Sequence, residues 1–324
     1  MDFMIINPPR NQKKFRYYGN TMKDFLKKYN LLIAPMEGVM RPALIELCNE
    51  LQVTKVWVTP FLRVSATVPK ERELKKFLAP FAPDKHRVIL QIMGVDKEKL
   101  SETALRGMAC GAAGIDLNCG CPSNQVISHG AGAGALRQIE HTAGIIAEIS
   151  SRMNGQGFFS VKTRLGFYSP QEAADTLKLW SSSGQVDMFT LHYRTAVEGY
   201  KSVPGREERL RAARAVLPQE TLVFGNGDIE NTAEAQTLCR ELDLDGVMIG
   251  RAFWRDVFML ARYFDPSPAI PDAGSARKIF WEKLRQIEYK RNIWSIGNAI
   301  ELTGMIFGAS SPEFAAMKKE FSQR

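Results

Sequence analysis

The chain has 324 residues, of which 45% are hydrophobic, and it carries a formal net charge of +8 at pH 7. This length and composition exclude a disordered chain and a disulfide-stapled miniprotein, and they allow one barrel-sized domain with a small appendage. The sequence contains no run of about 18 apolar residues, which excludes a membrane-spanning helix, and its start lacks the apolar stretch of an export signal.

The positive charge lies at the two ends of the chain. Residues 1–30 carry a net charge of +5 and residues 275–324 one of +4, while the long middle section has a net charge of −1. Lysine and arginine gain affinity for polyanions by releasing counterions from phosphates, so basic ends fit a nucleic-acid partner. Basic ends that only improve solubility are the alternative. Residues 1–30 are expected to form a basic N-terminal arm, of which residues 1–21 are loose and carry no core.

Eight short apolar segments follow, each typical of a parallel strand buried on both faces. They are Leu31–Pro35, Val56–Thr59, Val88–Ile92, Ile115–Asn118, Phe158–Arg164, Met188–His192, Thr221–Asn226 and Gly246–Gly250. Helix-like segments lie between them, at Pro42–Leu51, Lys97–Cys110, Ile139–Arg152, Pro170–Ser182, Arg206–Leu217 and Thr232–Leu242. The pattern predicts an α/β fold, a (β/α)8 TIM barrel over residues 31–264. A doubly wound sheet would require a glycine fingerprint after the first strand, which is absent.

A proline-rich linker at 265–275 precedes a helical pattern at 276–324. This last segment interleaves Trp281, Tyr289 and Trp294 with lysines and arginines. Aromatic side chains at helical spacing are more often core than RNA platforms, so the basic face is the better candidate for phosphate contact. The sequence predicts a small all-helical C-terminal domain, with Lys290 and Arg291 among its contacts to a polyanion.

Polar or glycine-rich residues end almost every predicted strand. TIM barrels build their active sites from these ends, where packing alone would require apolar residues. The residues are Glu37, Gln91, Asn118, Lys162, Arg164, His192, Arg194, Asn226, Gly227, Asp228, Gly250 and Arg251. The glycine-rich ends of the last two strands predict a phosphorylated ligand or cofactor. A barrel-floor lysine at Lys162 and a core histidine at His192 are the structural alternatives to ligand contacts.

The five cysteines indicate free thiols in a reducing cytosol, because their number is odd and no export signal precedes them. The few histidines are not clustered, so no zinc site is expected. Cys121 lies in a tight turn before Pro122, where an exposed thiol can act as nucleophile or proton donor. Cys119 is expected to be buried and inert. The glycine-rich run Gly130–Gly134 is expected to form a backbone cradle or mobile loop instead of a helix.

Six short motifs occur in an order that resembles the tRNA-dihydrouridine synthase family. They are Ala34–Gly38, Asp116–Ser123, Val161–Gly166, His192–Thr195, Gly225–Ile229 and Ile249–Arg251. The form of the motif around Cys119 and Cys121 is most similar to the bacterial branch that acts on uridine 16 of tRNA. The chain departs from the common family pattern at Asn124, where a basic residue is usual, and at Tyr193, where a glycine is usual.

The resemblance implies an FMN enzyme that reduces a D-loop uridine of tRNA to 5,6-dihydrouridine with NADPH. It implies a cytoplasmic monomer that needs neither metal nor membrane. The hydride passes from FMN to uracil C6, and Cys121 gives the proton to C5. The implied FMN contacts are Pro35, Met36, Glu37, Gln91, Lys162, His192, Asn226, Gly227, Asp228, Gly250 and Arg251. The expected RNA contacts are Asn118, Arg164, Arg194, Lys290 and Arg291.

Two other functions remain open at this point. An FMN barrel that reduces a small molecule, of the dihydroorotate dehydrogenase or ene-reductase kind, would share the phosphate site but would not need a basic helical tail. An RNA-binding protein built on an inactive barrel would keep the tail and bind no flavin.

Overall fold

The computed structural model describes residues 21–81, 87–265, 270–290 and 296–322. The strands are β1 (Leu31–Ile33), β2 (Trp57–Val58), β3 (Leu62–Arg63), β4 (Val88–Met93), β5 (Gly114–Cys119), β6 (Phe158–Arg164), β7 (Met188–His192), β8 (Leu222–Asn226) and β9 (Gly246–Ile249). The helices are α1 (Met22–Lys28), α2 (Pro42–Glu50), α3 (Glu71–Leu78), α4 (Lys97–Ala109), α5 (Asn124–Ile127), α6 (Ile139–Met153), α7 (Ala173–Ser182), α8 (Arg206–Val216), α9 (Thr232–Leu242), α10 (Arg251–Arg255), α11 (Met259–Phe264), α12 (Ala273–Lys290), α13 (Ile296–Phe307) and α14 (Pro312–Ser322). Short 3₁₀ helices lie at Ala79–Phe81, Gly132–Arg137 and Pro170–Glu172.

The strands form one parallel sheet that curls into a barrel. Their order is β1-β9-β8-β7-β6-β5-β4-β2, and β1 packs beside β2 where the ring closes. All eight predicted strands are present, so the predicted TIM barrel is confirmed. The additional strand β3 pairs with the end of β4 and is too short to leave a periodic pattern in the sequence. Helices fill the connections and bury their apolar faces against the outside of the sheet.

The sequence placed residues 22–30 in a basic arm outside the barrel domain, whereas they contain α1, which packs on the barrel. Thr21 caps α1 through a bond from the Asp24 backbone N–H to its hydroxyl, and the Asp24 carboxylate accepts the Thr21 N–H in return. Leu26 is fully buried in the lower interior of the barrel with Leu32 and Met248. A helix of 7 residues makes only two turns, so its apolar pattern is too short to predict it reliably. Residues 1–20 of the predicted arm lie outside the described residues.

Truncation of Leu26 tests whether α1 belongs to the barrel. Leu26→Ala is expected to lower the free energy of unfolding by about 2–5 kcal/mol, because it leaves a cavity in the lower interior. Chemical denaturation measures the difference, and Lys27→Ala, on the exposed face of the same helix, is the control. Equal stabilities of the two variants would mean that α1 does not contribute to the core.

The C-terminal helices pack on the barrel and on one another. Helix α12 contacts α2, and α13 lies against α10 and α14. Trp281 is buried and meets Phe307 edge to face at 5.9 Å, as expected for a core aromatic residue. The side chain of Lys290 and the whole of Arg291 lie outside the described residues. Across the described ranges, every helix is too short or too polar to cross a bilayer.

Candidate active site

The interior of the barrel changes from apolar to polar along the strands. Its lower part is filled by side chains such as Ile89, Phe158 and Phe224. Towards the carboxyl ends, the inward positions are polar on five neighbouring strands, β4 to β8, and β9 is followed by a glycine, Gly250. Strand pairing sets Asn118 beside Lys162 and Lys162 beside Thr190, while His192 lies between Arg164 and Asn226. The sequence-predicted residues therefore meet at one mouth of the barrel.

A chain of hydrogen bonds runs from a buried carboxylate to the turn that carries Cys121. Gln91 donates through Nε2 to Asp116 Oδ2 at 2.8 Å, and its Oε1 accepts from Asn118 Nδ2 at 2.8 Å. Asn118 Oδ1 then accepts the backbone N–H groups of Gly120 at 3.1 Å and Cys121 at 3.0 Å. Because the carboxylate accepts from Gln91, it fixes which way both amides face. Asn118, predicted as an RNA contact, is nine-tenths buried and holds the turn.

Burial raises the pKa of Asp116 to about 6, although hydrogen bonds from Ser160 and Gln91 and the charge of Lys162 act against this rise. The Ser160 hydroxyl donates to Asp116 Oδ1 at 2.6 Å. At neutral pH the carboxylate is therefore the ionised acceptor that the amide chain requires. Asp116 and Ser160 were not predicted as members of the site. The sequence does contain a signal for them, because side chains two residues apart lie on the same face of a strand. Asp116 is two residues before Asn118, and Ser160 is two residues before Lys162.

The glycine-rich run packs behind the Cys121 turn. Its second half begins the short 3₁₀ helix Gly132–Arg137, so the expectation that this run forms no helix is wrong. The Ala133 N–H donates to the Cys121 carbonyl at 2.9 Å. A Cβ on Gly132, whose φ is +54°, would lie 3.0 Å from Cys121 Cβ. The small residues are thus needed because the thiol turn lies directly on the backbone.

Cys121 is the half-buried thiol at the mouth, and the other cysteines are less reactive. Burial raises the pKa of Cys48 and Cys119 far above the usual range, and burial with a contribution from Asp245 raises that of Cys239 to about 11. Cys110 is buried as well. Cys119 packs in the outer core, as expected for an inert thiol.

Limited alkylation is therefore expected to select Cys121. With substoichiometric iodoacetamide at pH 8, peptide mass spectrometry should find most of the label on Cys121, because thiolate content and access both govern the reaction. Denatured protein, in which all five thiols react alike, is the control. Preferential labelling of Cys239, the other incompletely buried cysteine, would contradict the geometry of the turn.

Lys162 reaches across the mouth to β8. Its Nζ donates to Asn226 Oδ1 at 2.8 Å, and Asn226 Nδ2 donates to the Met248 carbonyl at 2.9 Å. Burial lowers the pKa of Lys162 to about 8, and the charge of Arg164 adds to this effect. The neighbouring Thr190 is fully buried, and its Oγ1 has no hydrogen-bond partner among the described residues. This place in the barrel offers polar atoms to a ligand.

His192 is a neutral imidazole at the rim. Its pKa lies well below 6.5 because of burial first, and then because of the charges of Arg164, Lys162, Arg194 and Arg251. The Arg194 backbone N–H donates to His192 Nδ1 at 3.3 Å, which leaves the ring proton on Nε2. The ring lies against Gly227, whose φ is +110°; a Cβ there would be 3.3 Å from His192 Cε1.

Asp228, predicted at the phosphate-binding end of the site, binds arginines of the protein itself. Its carboxylate accepts from Arg194, from Arg251 at 3.1 Å and from the Tyr193 hydroxyl at 2.9 Å. Burial alone would raise the pKa of Asp228, but the bonds from Arg194 and Tyr193 lower it. Arg194, predicted to contact RNA, is 2% exposed, and its guanidinium is bound to Asp228. Arg251 remains exposed, with one face free for an anion.

Arg164, also predicted to contact RNA, is buried and bound to backbone carbonyl groups. It is 3% exposed, and its guanidinium donates to three carbonyl oxygens. They belong to Gly120 at 2.8 Å, Thr195 at 2.9 Å and Gly199 at 2.8 Å. The side chain thus ties the Cys121 turn to the loop after β7. In the sequence this role could not be separated from ligand binding.

The remaining predicted contacts lie at the end of β1. Pro35 and Met36 are half-buried, and Glu37 is exposed. A Cβ on Gly250 would be 3.8 Å from Met36 Sδ, so the end of β1 lies beside the end of β9. The described residues thus bring together the predicted contacts of the barrel, while Lys290 and Arg291 stay predictions.

Comparison with known proteins gives one consistent family. The family model described as dihydrouridine synthase (Dus) matches residues 32–299. A tRNA-dihydrouridine(16) synthase of Haemophilus influenzae is 29% identical over 230 residues, 68% of this chain and 72% of its own length. A tRNA-dihydrouridine(16) synthase of Yersinia pestis is 30% identical over 230 residues, with the same coverage. A probable tRNA-dihydrouridine synthase of Staphylococcus aureus is 30% identical over 231 residues, 70% of this chain and 69% of its own length.

Solved structures of similar fold are more distant in sequence. Morphinone reductase has a TM-score of 0.55 at 10% identity, covering 75% of this chain and 87% of its own. Histamine dehydrogenase from Rhizobium sp. 4-9 has a TM-score of 0.57 at 11% identity, covering 80% of this chain and 49% of its own. At these identities the likeness supports the barrel fold alone.

Proposed function

The chain belongs to the dihydrouridine synthase family, and we propose that it reduces uridine 16 in the D-loop of tRNA to 5,6-dihydrouridine. It is an FMN-dependent oxidoreductase of tRNA, as the family is. The position is supported by the two relatives named as (16) synthases. NADPH is the proposed reductant. A monomer that works in the cytoplasm, with Lys290 and Arg291 in contact with the RNA, completes the proposal.

The polar upper interior fits FMN. Lys162 and Gln91 have the charge and the hydrogen-bonding groups to hold the polar edge of a flavin ring, and the buried Thr190 hydroxyl lacks any other partner among the described residues. Asn226, Gly227, Gly250 and Arg251 are the candidates for the phosphate end. When bound, FMN supplies the hydride that saturates the C5–C6 bond of uracil. Pro35, Met36, Glu37 and His192 are the proposed lining of the ring.

The single observation that carries the mechanism is the half-buried Cys121 thiol, on a turn that Asn118 holds at the polar mouth of the barrel. We assign to the Cys121 thiol the proton that C5 receives, and to Asn118 and Gly132 the orientation of the turn. Asp228 acts through the arginines that it orders, since a lone carboxylate would repel a phosphate. Arg164 positions the turn from the side.

Two measurements test the function. The purified protein is incubated with FMN, NADPH and an unmodified tRNA transcript, and dihydrouridine is mapped by primer extension or mass spectrometry. We expect formation at position 16. tRNA from a strain that lacks the gene should lose the modification at the same position. Modification at another position would refute the choice of uridine, and NADPH oxidation with small enones but never with tRNA would favour a small-molecule reductase.

A further inference from the structure

Exposed apolar side chains concentrate at the mouth of the barrel. Five large hydrophobic side chains are exposed among the described residues, and four of them follow barrel strands at their carboxyl ends. Three lie on two adjacent loops: Tyr168 is 65% exposed, Val197 52% and Tyr200 69%. We call these three residues the aromatic lip. Single exposed hydrophobic residues are normal, but a cluster of them beside a candidate active site indicates a contact surface.

The two loops of the lip are joined to each other. The backbone N–H of Ala196 donates to the Gly166 carbonyl at 3.0 Å, and that of Val197 donates to the Phe167 carbonyl at 3.1 Å. The loop after β6 and the loop after β7 therefore form one continuous edge. Arg164 connects this edge to the Cys121 turn, since it donates to Gly199 on one side and to Gly120 on the other.

Tyr168 is fixed by a carboxylate beneath its turn. Glu172 accepts the backbone N–H groups of Phe167 at 2.7 Å, Tyr168 at 3.2 Å and Ser169 at 3.1 Å. Gly166 adopts a φ of +87°, and a Cβ there would overlap the Ser169 carbonyl oxygen. The turn is thus rigid, and its aromatic ring is presented to solvent.

Tyr200 is fixed in a similar way on the other loop. It follows Gly199, whose φ is +58° and whose carbonyl is held by Arg164. The Arg164 guanidinium lies 5.5 Å from the centre of the Tyr200 ring. Glu198 in the same loop forms an ion pair with Arg209 at 2.8 Å. Two preordered aromatic rings bind a flat partner without a large loss of conformational entropy.

We propose that the aromatic lip stacks the unpaired bases that flank the reacting uridine. This inference rests on the proposed function, since it takes RNA as the partner. A base drawn into the barrel must leave its stack, and its neighbours then need a substitute surface. Exposed Arg137 and Lys201 flank the lip, which suits the phosphates of RNA and opposes a second basic copy of this chain. The lip binds flanking bases and leaves the reacting uracil to the barrel.

The test is a double-mutant cycle between the lip and the RNA. The variants are Tyr168→Ala and Tyr200→Ala, with Tyr168→Phe and Tyr200→Phe as matched controls. The RNA probes are the intact tRNA transcript and transcripts with an abasic site on either side of the target uridine. Equilibrium binding to the FMN-loaded enzyme is measured without NADPH, so that no turnover is needed.

Each alanine variant is expected to bind intact tRNA about 10-fold more weakly, while the phenylalanine variants stay within about 3-fold of the wild type. An abasic site next to the uridine should weaken wild-type binding by a similar factor. Combining the two changes should cost no more than either alone, because they remove the same stack. The slope of affinity against salt should not change, since no phosphate contact is lost.

The proposal would be overturned if, for both tyrosines and both abasic positions, the loss of affinity from the alanine variant multiplied with the loss from the abasic site. Unchanged binding of intact tRNA by the alanine variants would also overturn it. Sedimentation of the free enzyme tests whether a second copy of this chain binds the lip instead. If the alanine variants abolish a dimer and leave RNA binding intact, the lip is a contact between copies, and the proposal is wrong. The proposed function is judged separately, by dihydrouridine formation in the wild type. No dihydrouridine from the wild type refutes the proposed function, whereas normal dihydrouridine formation together with unchanged tRNA binding by the alanine variants refutes the lip alone.

Discussion

Replacing Cys121 with alanine is expected to lower the rate of dihydrouridine formation by about a hundredfold to ten-thousandfold, the usual contribution of a positioned acid. The thiol is half-buried at the mouth, its turn is held by Asn118, and its backbone rests on the short helix that begins at Gly132. Cys119 cannot take its place. It is buried in the outer core, and burial holds its proton so firmly that its pKa lies far above the usual range.

Single-turnover reaction of the reduced enzyme with tRNA measures this effect, and the rate of FMN reduction by NADPH should be unchanged. Cys119→Ala is the matched control, since it removes a thiol two residues away without touching the mouth. Cys121→Ser should retain more activity than Cys121→Ala, because its hydroxyl still offers a proton and the alanine methyl group does not. Full activity of Cys121→Ala would remove the thiol from the mechanism.

The barrel could be predicted because its strands leave a strong signal. Each is buried on both faces, and the parallel topology then forces the strand ends to one mouth. That rule predicts from the sequence that Gln91, Lys162, His192 and Asn226 lie near one another. The short elements could not be found in this way. Helix α1 is held by Leu26, with Met22 and Phe25 packed beside it, and this pattern spans only two turns.

The hydrogen-bond and ion-pair partners of the charged residues could not be predicted from the sequence. Arg164 and Arg194 stand at strand ends like ligand-binding arginines, but both are buried and bound to groups of the protein itself. Which acceptor an arginine meets depends on how the loops after β6 and β7 cross the mouth. The same holds for Asp228, whose carboxylate is shared among its neighbours. Polarity at a strand end predicts a site, and only the tertiary structure separates its ligands from its scaffold.

Replacing Lys162 with methionine is expected to stabilise the FMN-free protein and weaken FMN binding. Burial lowers the pKa of Lys162 in the folded protein to about 8, below the ordinary lysine value of 10.5, so keeping this amine charged costs the folded protein stability. Below pH 8 the folded protein bears the full cost, about 3 kcal/mol. Between pH 8 and pH 10.5 the cost decreases, because the unfolded chain then binds more protons than the folded one. Loss of the bond to Asn226 offsets about 1 kcal/mol of the gain.

Chemical denaturation of the FMN-free protein at pH 7 should therefore find Lys162→Met more stable than the wild type by about 2 kcal/mol. Between pH 8 and pH 10.5 the difference should shrink, because the wild type gains stability as its lysine loses the proton. FMN affinity should fall by about 10-fold or more, the value of a hydrogen bond from a charged donor. Lys178→Met on the exposed face of α7 is the control and should change neither quantity. A Lys162→Met protein that is less stable at pH 7 would mean that the amine is not desolvated, and it would leave the fall in FMN affinity without this physical cause.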